Sequence, residues 1–251
     1  MPTRTIQIPT PDGTADGLAA FPDDGERHPG VLLYMDALGP RPTLQGMAET
    51  LAAEGYYVLV PNVFYRHGPA PVVEVPDLRV PENRDEFFAR IGPVFSAHTT
   101  ERAQRDAAAY LGFLTTRPEV RPGPVAVIGY CMGGVLAVRT AAAHPEQVAA
   151  AACFHPGPLV TDAPDSPHLL ADRLRAELHI GLAEHDEGMP PQAVAELNKA
   201  LADADVRCTS EVYPGTVHGF TMADTAAFDA EGLERHWDRL LPLLRRTLAN
   251  T

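Results

Sequence analysis

The feature that most restricts the fold is an alternation of short apolar runs with longer amphipathic ones. The runs at 30–36 (GVLLYMD), 56–61 (YYVLVP), 124–129 (PVAVIG), 148–154 (VAAAACF) and 177–183 (ELHIGLA) are nearly continuous in apolar residues. Strands buried on both faces read that way. Residues 43–54, 98–116, 132–143, 191–203 and 227–248 carry helical spacing, and Gly55 closes the first of them. VRCTSEVY (206–213) reads as one more strand. At the start, 4–9 and 17–21 flank a Pro-Asp-Gly turn signal and read as a hairpin. The pattern predicts an α/β protein: a mostly parallel central sheet, an N-terminal antiparallel hairpin, and helices on both faces, in one domain over 1–251. The Pro- and Gly-rich stretch 61–83 reads as a long surface connection, and 61–100 with 156–176 as the segments that roof the sheet rim.

Composition narrows the partners. Hydrophobic residues make up 45% and charged residues 21%, enough for a full core. The net charge of −13, with no Lys/Arg cluster, makes nucleic acid and anionic membrane poor partners. The opening MPTRTIQIPTPDG has no apolar core of a signal peptide, and no segment approaches the ~20 apolar residues of a membrane span. Three widely spaced cysteines are an odd number, which argues against a disulfide framework and for a reducing, cytoplasmic setting.

In such a sheet, sites form at the C-terminal ends of strands. Three reactive residues fall there. Gly129-Tyr130-Cys131-Met132-Gly133 has the G-x-nucleophile-x-G spacing of a strand-to-helix elbow, with Cys in place of Ser. Flanking glycines remove Cβ atoms that would clash, and the helix start favours a thiolate. The competing reading is a small buried Cys at a glycine-rich helix start. Asp186, in LAEHDEGMP, follows the 177–183 strand. Alone it reads equally as a loop or capping carboxylate, with Glu184, His185 and Glu187 beside it; no second cluster with ligand spacing supports a metal. His218, in YPGTVHGF, follows the last strand in a Gly-flanked loop. Of the ten histidines most have plainer contexts: His28, His67 and His98 in polar or Pro-rich segments, His144 and His236 on helices, His179 inside a strand. Cys131, Asp186 and His218 give nucleophile, acid and base in chain order, each after a strand. That set suits acyl transfer: thiolate attack, proton management by imidazole, and a carboxylate that fixes the ring.

GYCMGG, the AEHD region and VHGF together resemble the dienelactone hydrolase family, the Cys-nucleophile branch of the α/β-hydrolase fold, over essentially the whole chain. The resemblance implies that Cys131 is the nucleophile, Asp186 the acid and His218 the base. It implies oxyanion-hole amides on Met132 and Ala37, and a thiol-gating or substrate role for Asp36 in LLYMDALGP, where family members often carry Glu. Members that act on dienelactone grip a carboxylate with arginines, one a few residues past the histidine; here the segment is HGFTMAD, with Met222 or its neighbours in that place. Arg66 and Arg84 are the remaining candidates for a cationic contact, and otherwise read as surface charge. Tyr65, Tyr130, His155 and Phe220 are candidates for lining the pocket, with packing as the plainer reading. Cys153 and Cys208 read as small buried hydrophobes within strands.

The expectation is a hydrolase that opens a small ester or lactone through a thioester, without cofactor or metal, as a monomer or homodimer. An isomerase or cyclase using the same Cys–His pair is the alternative, distinguished by whether the product gains water. A non-catalytic binding module is a third reading, against which the complete triad argues.

Overall fold

The computed structural model describes residues 3–249. They group into two compact units: residues up to 123 with 224–226, and 124–223 with the segment from 227 onward.

In the first unit, β1 (Thr3–Thr10) and β2 (Gly13–Ala20) form the expected hairpin, with Ile6 opposite Gly17. β2 pairs antiparallel with β4 (Tyr57–Pro61), and β4 pairs parallel with β3 (Gly30–Tyr34). The pairing needs a glycine at 17, because a Cβ there would lie 2.6 Å from the Val60 carbonyl oxygen. Val31, Leu32, Leu33, Val58, Leu59 and Val60 are all fully buried, so both faces of these two strands are covered. α1 (Pro42–Ala53) starts with proline at its first turn and is followed by Gly55 at φ 91°.

α2 (Pro81–Ala97) was expected to be connecting loop. Pro81, Gly92 and Pro93 punctuate the segment and hide its period, since an internal proline removes one helix hydrogen bond. What anchors the helix is a pair of buried side chains four residues apart, Phe87 and Ile91. α3 (Thr100–Thr115) is capped by Thr99, whose hydroxyl accepts from the Arg102 amide.

In the second unit β5 (Val125–Tyr130), β6 (Val148–Phe154), β7 (Glu177–His185) and β8 (Cys208–Val217) pair in that order, all parallel. α4 (Met132–Ala143), α5 (Pro191–Asp203) and α6 (Ala230–Leu248) complete it. Neighbouring residues of β6 show that helices cover both faces. Gly134 of α4 lies so close to Cys153 that an added Cβ would come within 2.9 Å of its Cβ. The next residue, Phe154, points the other way and meets His236 of α6, ring to ring at 4.1 Å. α6 begins at residue 230 because Asp229 caps it, accepting from the Gly232 amide. Its buried stripe is His236, Leu240, Leu243, Leu244 and Leu248.

β7 and β8 run further than their apolar runs suggested, to His185 and Val217. Asp186 and His218 are thus the first residues past two adjacent parallel strands. Cys153 is buried as expected, whereas Cys208 is only half-buried. Cys208 opens β8, which pairs with β7 along one edge and has less cover.

Candidate functional site

The elbow at Cys131 is dictated by its glycines. A Cβ on Gly129 would sit 1.8 Å from the Gly133 carbonyl oxygen and 2.6 Å from the Gly134 nitrogen, so no side chain fits. Gly134 is similarly constrained, with Cys153 and Pro156 each 2.9 Å from its would-be Cβ. The turn closes tightly enough to place Cys131 at φ 54°, ψ −120°, left-handed territory that side-chain-bearing residues rarely enter. Its carbonyl oxygen holds the turn by accepting from the Gly134 amide at 3.0 Å and the Gly157 amide at 2.8 Å. The side chain is partly exposed, in contrast to the buried Cys153.

His218 and Asp186 meet directly. The ring Nδ1 lies 2.7 Å from Asp186 Oδ2. The other carboxylate oxygen, Oδ1, accepts from the Gly188 amide at 2.9 Å, so both oxygens are committed and the carboxylate cannot rotate freely. Burial works against a charge on His218, but its hydrogen bonds with Asp186 and with the Cys131 side chain outweigh that and push the imidazole up to about 10. The nearby alternatives to Asp186 are otherwise engaged: Glu184 accepts from the Gly215 amide, and His185 is mostly exposed.

His155, at the end of β6, packs against His218 with ring centroids 5.3 Å apart. Phe220 stacks on Tyr213 and meets His155 edge-on. Tyr130 is fully buried and turned inward, its hydroxyl 2.9 Å from Nε2 of His236. His236 looked unremarkable as a helical residue. It is fully buried, and burial pushes it down to about 3, which keeps it neutral.

In the first unit, Asp36 follows β3 and is buried, but its carboxylate is gripped by Arg41. Nη1 donates to Oδ1 at 2.7 Å and Nη2 to Oδ2 at 3.0 Å. Arg41 Nε in turn donates to Asp224 Oδ2 at 2.6 Å. Burial pushes the Asp36 carboxyl up, and Arg41 opposes that push. Neither Arg41 nor Asp224 stood out in the sequence; the available signal was a lone arginine in the loop after a strand that carries an acid. Ala37 sits in the turn that Asp36 organises, where Oδ1 also accepts from the Leu38 amide.

Arg66 makes two bonds to buried Asp106 and two to Asp12, so it joins α3 to the hairpin turn. Tyr65 donates to the same Asp106 at 3.0 Å. Arg84 is exposed on α2, its guanidinium over the Phe88 ring at 5.4 Å. Among the described residues, no cluster of three or more His, Cys, Asp or Glu is arranged to hold a metal, and no helix is long and apolar enough to cross a membrane.

Parallel strands flanked by helices, with a tight strand-to-helix turn at Cys131 after β5, define an α/β-hydrolase fold. The model of the dienelactone hydrolase family matches residues 15–248, and the chain belongs to that family, whose members hydrolyse ester or lactone bonds. A Synechocystis protein provisionally named carboxymethylenebutenolidase is 25% identical over 249 residues, covering 98% of this chain and 97% of that protein. A Pseudomonas protein named carboxymethylenebutenolidase is 32% identical over 116 residues, 46% of this chain and 45% of its own length. Among solved structures, a Klebsiella pneumoniae protein provisionally named dienelactone hydrolase superposes with TM-score 0.79, covering 100% of this chain and 99% of that one, at 20% identity. At that identity the likeness concerns the fold.

Proposed function

We propose that this protein hydrolyses an uncharged ester or lactone of a small molecule through Cys131, His218 and Asp186. The observation that carries the reading is the 2.7 Å bond between Asp186 and His218, with Cys131 on its strained turn as the other hydrogen-bond partner of that imidazole. The thiolate adds to the carbonyl carbon. The oxyanion that forms is stabilised by the backbone amide of Met132, a donor of a kind whose loss costs about 3 kcal/mol. Collapse of the tetrahedral species leaves a thioester on Cys131, and His218 gives its proton to the departing alkoxide. His218 then takes a proton from water, which attacks the thioester and frees the acid and the thiolate. Every step runs on residues of the chain, with no cofactor, and a reducing cytoplasm would keep the thiol usable.

An uncharged acyl portion fits the cations available. Arg41 and Arg66 are each held by two carboxylates, Arg84 lies over the Phe88 ring, and Met222 is buried where the family's carboxylate-binding arginine was expected.

The test is p-nitrophenyl acetate hydrolysis with intact-mass spectrometry. The wild type should release p-nitrophenol in a burst and carry an acetyl group at residue 131, and Cys131→Ala should do neither. Hydrolysis at wild-type rate by Cys131→Ala would sink the mechanism. With a lactone substrate in H₂¹⁸O, label in the product separates hydrolysis from isomerisation.

A further inference from the structure

Asp186 fixes Nδ1 of His218, but hydrogen bonds in the plane of the ring do not by themselves stop it tilting about its long axis. We propose that His155 and Thr221 form a positioning pair that holds the His218 ring square to Cys131. The inference rests on the role assigned to His218 above.

Four observations converge on His155. It is fully buried at the C-terminal end of β6. Its backbone has φ 37°, an uncommon value for a residue with a side chain, and its amide is pinned by donation to the Gly181 carbonyl at 2.7 Å. That conformation aims the ring at the catalytic loop, where it meets the His218 ring at 67° between planes. Finally, His155 Nε2 shares a 2.8 Å hydrogen bond with the Thr221 hydroxyl. Thr221 is itself buried and lies three residues past His218 in the same loop.

The pair therefore grips that loop twice, once through the His218 ring and once through Thr221. A phenylalanine would fill the space beside His218 equally well. Only a ring with a nitrogen in this place also ties the loop down at Thr221. Phe220 backs the arrangement, its ring 5.2 Å from that of His155 and 4.9 Å from that of Tyr213, so the imidazole cannot retreat. Strain of this kind at a non-glycine residue persists only where its surroundings impose it, and here it serves to orient a neighbour.

The experiment compares Thr221→Val, His155→Phe, the double variant and Thr221→Ser with wild type. The readouts are p-nitrophenyl acetate kinetics and the downfield NMR resonance of the proton between His218 and Asp186. Each single variant should lower kcat about tenfold with KM unchanged, the penalty of slight misalignment. The double variant should lose no more than either single, because both break one bond, and Thr221→Ser should keep most of the activity. The resonance should broaden or move in Thr221→Val and not in Thr221→Ser. Thr221→Val swaps side chains of near-equal size, so it remains informative even where His155→Phe fails to fold. Unchanged kcat and an unchanged resonance in Thr221→Val would overturn the proposal. If Cys131→Ala retains full hydrolysis, the catalytic reading has failed instead, and the resonance in Thr221→Val alone decides whether the pair positions His218.

Discussion

Asp186 and Asp36 each follow a parallel strand, β7 and β3, and their side chains are nearly equally buried, at 5% and 6% exposed. Their partners set them apart. Asp186 holds a histidine, a group whose charge can change during a reaction. Asp36 holds an arginine, whose charge does not change at any pH the protein survives. A carboxylate beside imidazole can tune proton transfer. A carboxylate locked to guanidinium supplies a fixed charge and a fixed loop shape. Location after a strand marks where chemistry is possible, and the partner decides whether the residue takes part in it.

Substitution at the two acids should separate them by kind of effect. Asp186→Asn keeps the shape but offers His218 the wrong hydrogen-bond partner, and should lower kcat about 10³-fold with little change in KM or stability. Ester hydrolysis and urea unfolding measure the two sides; a large loss of stability with little loss of kcat would break the contrast.

Arg41→Met should do the reverse in the first unit. It leaves Asp36 buried and charged without its partner, at a cost of about 3–5 kcal/mol in unfolding free energy. Adding Asp36→Asn to that variant should restore much of the loss. If Arg41→Met costs nothing in urea unfolding, the Asp36–Arg41 pair is not a structural fixture.

The titratable partner should leave a pH signature that the arginine cannot. His218 has its folded value raised from 6.5 to about 10, so the stability it contributes is complete below about 6.5 and is lost as pH rises through about 10. The unfolding free-energy difference between wild type and His218→Ala should therefore shrink over that window. A constant difference from pH 6 to 10 would contradict the raised value. The smallest effect belongs to Asp224→Asn. Arg41 keeps its bidentate hold on Asp36, and Asp224 is one-third exposed, so the loss should stay near ~1 kcal/mol.

The catalytic candidates were legible in the sequence because each combines a reactive residue with a strand end and neighbouring glycine. The strands were legible as apolar runs, although polar residues at the ends of β7 and β8 hid their last turns toward the site. α2 was missed because its two prolines and a glycine erase the helical rhythm that Phe87 and Ile91 keep. The Arg41 network was not legible because it joins residues 36, 41 and 224, and no local pattern announces a partner so far along the chain. His155 stood out only as a candidate for lining the pocket, and its link to Thr221 not at all, for a related reason: a positive φ on histidine and a bond across 66 positions leave no trace in composition or period.

The backbone at residue 131 is shaped almost entirely by atoms other than its own sulfur. Glycine contacts force the turn, two amides hold its carbonyl, and Tyr130 is tethered to His236 on the adjoining side. The atom at the tip of residue 131 is therefore separable from the geometry that presents it. An oxygen nucleophile placed there would inherit the same trajectory, and the rate ratio between the two would compare sulfur with oxygen on one scaffold.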